Sequence, residues 1–259
     1  MEVSEIRGIS DINFVFPDGF SSFEPYIRYQ VKEILEIGGE AFVSRTPGGD
    51  ISGLFTYDNS EGIGTIYTRS REVFDYFYAL RPFDYLFAEM KTEHESEVYN
   101  IYTIDLRDFD AAHRFSHEVT MADEVHTGEL ERLMALTYPR INRMWVKVAL
   151  GNGERCFFIR LNDEIVGWGW VSLVNGIGRF HTLYVNPRFR GMRMGEDLLF
   201  ARLLWLKLRH ARSAFSEISG CNSSCSRVAT KGHMSVSGQI FQYSGEPGEK
   251  KEKEKMPNS

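Results

Sequence analysis

The stretch from Arg179 to Arg212, RFHTLYVNPRFRGMRMGEDLLFARLLWLKLRHAR, limits the possible folds more than any other part of the chain. Phe180 to Val185 is rich in β-branched and aromatic residues and reads as a strand, which Pro187 stops. Arg188 to Gly195 is a loop carrying three arginines and two glycines. Glu196 to Arg212 then reads as a helix, with Leu198, Leu199, Leu203, Leu206 and Ala211 at apolar positions. A strand, a glycine-bearing loop and a helix N-terminus together make a cradle for phosphate. The first N–H groups of a helix lack internal partners, the helix dipole is positive there, and glycine lets backbone approach an anion.

Two common phosphate loops are excluded. The sequence has no G-x-x-x-x-G-K-[ST], and no G-x-G-x-x-G followed by an acidic residue placed for a ribose. The stretch does resemble the coenzyme A loop of the GNAT superfamily of N-acetyltransferases, where a strand ending Leu-x-Val-x-Pro is followed by [Q/R]-x-x-G-x-[G/A] and a long helix. Leu183, Val185 and Pro187 match the first part, and Arg190 and Gly195 the ends of the second. Arg193 stands where the pattern has its first glycine, and Gly191 is placed to share the backbone task.

This resemblance implies acetyl-CoA as cosubstrate and no metal. A bulge at Leu183, Tyr184 and Val185 would free backbone groups for the thioester and pantetheine. Arg190, Gly191, Met192, Arg193, Met194, Gly195 and Glu196 would hold the pyrophosphate, and Asn222 would contact the cofactor arm.

The 259 residues suggest two domains, and 42% hydrophobic residues suffice for packed cores. No run of 18 apolar residues occurs and the N-terminus lacks a signal-peptide core, so a soluble, cytoplasmic protein without membrane contact is expected. Three cysteines argue against a disulfide framework; Cys221 and Cys225 have a zinc-like spacing but no second pair. Residues 1–115 hold 10 basic and 21 acidic side chains, a net −11, whereas 116–245 hold 16 and 11, a net +5. The basic part contains the phosphate loop, which suits a polyanionic cofactor, but it is too weakly basic to suggest nucleic acid.

Read in order, the first part gives a helix over 22–39, a hairpin of 41–45 with 51–57, a strand at 64–69, a helix at 72–80, and strands at 85–90 and 98–106. The second part gives a strand into a helix starting at Asp123 and closed by Pro139, and a helix over 143–150. A hairpin of 156–161 with 164–172 precedes the central strand, loop and helix. A strand at 215–219, a helix at 222–231 and a strand at 239–244 complete it. That order matches the GNAT fold over residues 118–244. An internal repeat is also visible: Asp50-Ile51-Ser52-Gly53 aligns with Glu164-Ile165-Val166-Gly167, and at the same offset Gly62-Ile63-Gly64 aligns with Gly176-Ile177-Gly178. The expectation is an α/β (α+β) chain, a mixed central sheet flanked by helices in two tandem GNAT-like domains. Residues 1–115 form a degenerate domain without a cofactor loop, 116–245 the catalytic domain, and 246–259 a disordered charged tail.

The implied reaction transfers acetyl from acetyl-CoA to a small-molecule or peptide amine by direct attack, in a monomer or homodimer. The amine must lose a proton and the leaving thiolate gain one. The glutamate base common in the family is absent before the bulge, where Arg179 and His181 stand instead. His181 and Glu217 are the candidate bases. The tyrosine acid used by many relatives is also missing, since its place falls near Ala229; Tyr184, Tyr243, Ser224 or water remain. Cys225 shows no ordered Cys–His pair for covalent catalysis. A non-catalytic acyl-CoA binder or sensor is the alternative.

Overall fold

The structure, a computed structural model, describes residues 1–245 except 13–14, 19, 22–23, 108, 111 and 139–144. The charged tail 246–259 and the helix-closing Pro139 lie outside the described residues. In chain order the elements are β1 (Glu2–Glu5), α1 (Glu24–Glu36), β2 (Glu40–Arg45), β3 (Ile51–Asp58), β4 (Ile63–Thr68), α2 (Arg71–Leu80), β5 (Tyr85–Ala88) and β6 (Ser96–Asp105). They continue with β7 (Thr120–Met121), α3 (Thr127–Thr137), α4 (Trp145–Gly151), β8 (Arg155–Leu161), β9 (Glu164–Val174), β10 (Ile177–Val185), α5 (Met194–Leu208), β11 (Ser213–Ser219), α6 (Ser223–Lys231) and β12 (Ser235–Ser244).

Local chemistry sets most of these boundaries. The β8–β9 hairpin turns on Asn162 and Asp163, both at positive φ (48° and 65°), as a tight hairpin requires. Ser70 caps α2 by accepting from the Val73 N–H. Several boundaries differ from the sequence reading, among them α1 at 24–36, β5 at 85–88 and β12 at 235–244, and two of the differences have a local cause. Asp123 caps a short 3-10 turn, Glu124–His126, and α3 begins only at Thr127. Helix α5 runs over 194–208 rather than 196–212, because His210 takes a left-handed φ of 57° and turns the chain into β11.

Among the described residues twelve strands join one sheet in the order β1-β2-β3-β4-β5-β12-β6-β11-β10-β9-β8-β7. The order is a palindrome about the β12–β6 pair: β1 to β5 on one side correspond to β7 to β11 on the other. Each side contains one parallel pair, β4 with β5 and β10 with β11. The repeat seen in the sequence falls on matching strands, β3 with β9 and β4 with β10. Strand β6, from the first part of the chain, inserts between β11 and β12. Reciprocally β12 inserts between β5 and β6. The two parts therefore share one continuous ladder.

The two sides differ where function is expected. The β3–β4 register is unbroken and β4 passes to α2 through only Arg69 and Ser70. The β9–β10 register breaks between His181 and Tyr184, and eight residues separate β10 from α5. Among the described residues, the β3–β4 pair thus lacks the bulge of β9–β10, and only two residues lead from β4 into α2.

Apolar clusters cover both sheet faces. One joins α5 and α6 to β8–β11 and β6 through Leu198, Leu203, Leu206, Phe180 and Ile218. Another packs α3 and α4 on Trp168 and Trp170. A third spans both parts: Ile27 and Val31 of α1 lie with Tyr67, Phe215 and Ile240. The Tyr26 ring meets Phe215 edge-on at 4.9 Å, and its hydroxyl donates to the Ile177 carbonyl. Helix α1 is therefore packed against the strands that carry the bulge. No helix among the described residues is long and apolar enough to cross a membrane.

Candidate active site

The site begins where β10 leaves its neighbours. β10 pairs with parallel β11 only from Ile177 to Arg179, while β11 stays paired with β6 as far as Ser219. Beyond Arg179 the two strands diverge. At the break Thr182 adopts φ 51°, a left-handed conformation that a β-branched residue resists. The gap opens a cavity of about 400 Å³, lined among others by Leu183, Leu199, Arg202, Asn222, Cys225 and Val228. A second cavity of about 220 Å³ lies toward the first part of the chain and draws its wall from Tyr26, Gln30, Thr65, Tyr67 and Phe87. Tyr99, Phe180, His181, Thr182 and Glu217 line both. The two cavities therefore meet at the bulge.

The loop before α5 leaves backbone N–H groups free among the described residues. Gly191 has φ 87°, and Arg193, the N-cap of α5, has φ 65° with no side-chain cap. Among the described residues none accepts a hydrogen bond from the N–H groups of Gly191 to Gly195. The position where the motif has a glycine does require a left-handed backbone; Arg193 takes it at a cost of about 1 kcal/mol. Gly195 has little room, since a Cβ there would lie 3.2 Å from Val228 Cγ2. Met194 is buried in the core, so it presents backbone only, whereas Met192 is exposed. Arg190 Nε donates to the Val185 carbonyl at 3.2 Å, bracing loop against strand. Glu196 is tied to Arg193 and Lys231. Asn222 accepts from the Cys225 N–H and caps α6 at the cavity wall. Asp197 in the first turn of α5 is fully buried. It takes His113 Nε2 and His117 Nδ1, each at 2.8 Å, fastening the inter-part linker to this helix. Burial works against its carboxylate, but the two imidazoles more than offset that and lower its pKa.

Around the shared wall lies a buried polar cluster. His181 Nε2 is 3.0 Å from Glu154 Oε2, and His181 Nδ1 is 3.0 Å from Thr182 Oγ1. Glu154 is only 2% exposed, and its other oxygen accepts from the Tyr29 hydroxyl of α1. Burial opposes ionisation of Glu154, yet the charge and hydrogen bond of His181, with Tyr29 and Arg179, hold its pKa below the ordinary value. Glu33 of α1 goes the other way: burial and the charge of Glu154 push it up to about 8. Glu217 is held by Arg179, with Nη2–Oε1 at 3.1 Å and Nε–Oε2 at 3.2 Å.

Of the residues the sequence singles out, His181 and Glu217 come together at the junction, and Leu183 and Asn222 line the larger cavity. Tyr184 lines neither cavity; its ring stacks on Trp168 at 4.3 Å. Val185 packs against the α5 core. Tyr243 is buried in the core beneath α2, donating to the Met90 carbonyl, and Ser224 stands exposed at the start of α6. Sequence reasoning missed Glu154, Tyr29, Thr182 and Tyr138. Glu154 sits in the polar turn GNGERC, where nothing marks it as buried, and Tyr29 lies 125 positions away in the first part of the chain. Tyr138, at the end of α3, lines the larger cavity, and burial raises its phenol. Among the described residues no His, Cys, Asp and Glu cluster could hold a metal ion.

Comparison with known proteins bears on the family and the fold. Residues 98–225 match the family described as the Acetyltransferase (GNAT) family. No curated protein matches the sequence. Among solved structures, a GCN5-related N-acetyltransferase from Sphaerobacter thermophilus superposes with a TM-score of 0.59 at 12% identity, over 80% of this chain and 81% of that one. A tandem GNAT protein from the clavulanic acid biosynthesis pathway gives 0.55 at 13% identity, over 82% and 84%. A Drosophila protein gives 0.64 at 9% identity, over 93% and 98%. At such identities the likeness speaks to fold, which is a mixed sheet flanked by helices of the kind found in GNAT and tandem GNAT proteins. Residues 98–225 are thus identified as a GNAT acetyltransferase domain.

Proposed function

We propose that the protein transfers an acetyl group from acetyl-CoA to an amine held between the two parts of the chain. The observation that carries this reading is the meeting of two cavities at one bulge, with a histidine on the shared wall. The uncapped N–H groups of Gly191 to Gly195 receive the pyrophosphate, with Arg190, Met192, Arg193, Met194 and Glu196 completing the loop. The larger cavity, walled by Leu183 and Asn222, takes the pantetheine arm. The backbone around Thr182 to Val185 is the source of donors for the developing oxyanion. The smaller cavity takes the amine, so residues 1–115 shape the acceptor site while 116–245 hold the donor.

His181 is the base in this reading. Glu154 facing Nε2 favours the tautomer with its proton there, leaving Nδ1 as the basic atom beside the Thr182 hydroxyl. The amine nitrogen attacks the thioester carbon, its proton passes to His181 Nδ1 directly or through Thr182, and the C–S bond breaks. Tyr138 supplies a proton to the departing thiolate, because its burial keeps the phenol protonated near neutrality. Glu217 is assigned to holding Arg179 rather than to proton transfer, and Tyr184 to supporting the bulge against Trp168.

A binder without catalysis would have no use for a carboxylate buried behind a histidine at the junction. The discriminating experiment is amine-dependent thiol release from acetyl-CoA across a panel of primary amines, with products identified by mass. Acetylated amine from the wild type and none from His181→Gln is the expected result. Tight acetyl-CoA binding without transfer to any amine would instead support the sensor reading.

A further inference from the structure

Helix α5 turns an apolar stripe to the core, Leu198, Leu199, Leu203 and Leu206, and in its middle stands an arginine. Arg202 is 1% exposed. Its Nε donates to the Leu198 carbonyl and its Nη1 to the Trp170 carbonyl, both at 3.0 Å. Its guanidinium carbon lies 5.0 Å from the centre of the Phe180 ring. The space is cut for it: a Cβ on Gly169 would come within 2.9 Å of that carbon. Among the described residues no carboxylate pairs with Arg202, and its second terminal nitrogen, Nη2, donates to none of them. Burial lowers its pKa to about 10, so it remains charged at neutral pH. Burying an ion without a counter-charge is unfavourable, and an apolar residue of similar size at this position would avoid that cost. The side chain forms part of the wall of the larger cavity and no part of the smaller one.

We propose that Arg202 receives a carboxylate at the far end of the acyl chain, so that the donors include thioesters of dicarboxylic acids such as malonyl-CoA and succinyl-CoA. This rests on the assignment of the larger cavity to the donor. The carboxylate comes with the donor rather than the acceptor, because Arg202 borders only the donor's cavity. The chemistry is that of acetyl transfer: the amine nitrogen forms an amide with the thioester carbon, the C–S bond breaks, the proton goes to His181 and the thiolate leaves. The distal carboxylate is unchanged and contributes binding and orientation through a charge-assisted, bidentate-capable contact.

The test is calorimetric binding to the full chain of two pairs with equal carbon count, propionyl-CoA with malonyl-CoA and butyryl-CoA with succinyl-CoA, alongside acetyl-CoA. In the wild type at least one acidic member should bind tenfold or more tightly than its neutral partner. In Arg202→Met that ratio should fall to near one, and Arg202→Lys should restore part of it. Neutral and acidic members binding alike in the wild type would overturn the proposal while leaving the donor site standing, and so would a preference that survives Arg202→Met. Should Arg202→Met fail to fold, the wild-type ratios decide alone. If no acyl-CoA binds, the donor-cavity assignment itself is wrong, and this proposal falls with it.

Discussion

Replacing Glu154 by glutamine keeps the shape of the side chain and removes one charge from beneath His181. The lost interaction can be sized from the geometry. Unit charges 3.0 Å apart attract by about 5 kcal/mol at an effective dielectric constant near 20. That attraction is at work only while His181 holds the acceptor's proton, so it stabilises the state in which the base is charged. Relief of the carboxylate's own burial cost offsets part of it. The amide also no longer favours the proton on Nε2, so kcat should fall by about 10²–10³-fold, within the range lost when a positioned base is disturbed. Tyr29, Glu33, Arg179 and Glu217 also face this cluster and remain in the variant, so the loss reports Glu154 alone. The assay is thiol release at saturating acetyl-CoA, with acetyl-CoA affinity measured alongside by calorimetry. A residue that merely supports packing would weaken binding along with kcat. A folded Glu154→Gln protein with wild-type kcat and kcat/KM would refute the role of the pair.

Four further outcomes are expected. Gly195→Asp should abolish acetyl-CoA binding by calorimetry, since its Cβ meets Val228 at 3.2 Å and its charge sits at the anion-binding helix terminus; unchanged affinity in a folded variant would refute the loop assignment. Arg193→Gly should raise thermal stability by about 1 kcal/mol by relieving a left-handed backbone, which differential scanning calorimetry would register as a higher Tm. Glu33, held up to about 8, keeps a proton that the unfolded chain releases near ~4.3; its contribution is full below that value and lost as pH rises toward 8. Urea midpoints at pH 5 and pH 8 should therefore differ less in Glu33→Gln than in the wild type. Residues 116–245 expressed alone lack β6 and leave the facing edges of β11 and β12 unpaired, so this fragment should be aggregated or unfolded by size exclusion and circular dichroism, whereas a soluble and active fragment would remove the first part from the acceptor site.

The sequence was most legible where local chemistry decides structure. Pro187 ending a strand, the glycines at 191 and 195, and the leucines of α5 place the strand, loop and helix without any long-range information. The glycine-marked repeat, Gly53 with Gly167 and Gly64 with Gly178, reached as far as the palindromic sheet. What could not be read depends on contacts between distant segments. The exchange of β6 and β12 depends on which edges the folded chain leaves open, and no strand pattern encodes that choice. Glu154 looks like any glutamate in a polar turn until α1 folds over it and Tyr29 arrives. Arg202 occupies an apolar position in the α5 pattern, and that break in periodicity was a visible signal. Thr182 gives no warning of its left-handed backbone, because the bulge arises from β9 and β10 falling out of register.

The central claim is that one bulge brings a thioester from the larger cavity to an amine in the smaller one. A crystal structure of the full chain with acetyl-CoA tests it most directly. The account predicts pyrophosphate on the N–H groups of Gly191 to Gly195, the pantetheine between β10 and β11, and the thioester carbonyl beside Thr182 to Val185 with His181 Nδ1 on the acceptor side. Coenzyme A bound on the first part of the chain, or with its thioester turned away from His181, would contradict it.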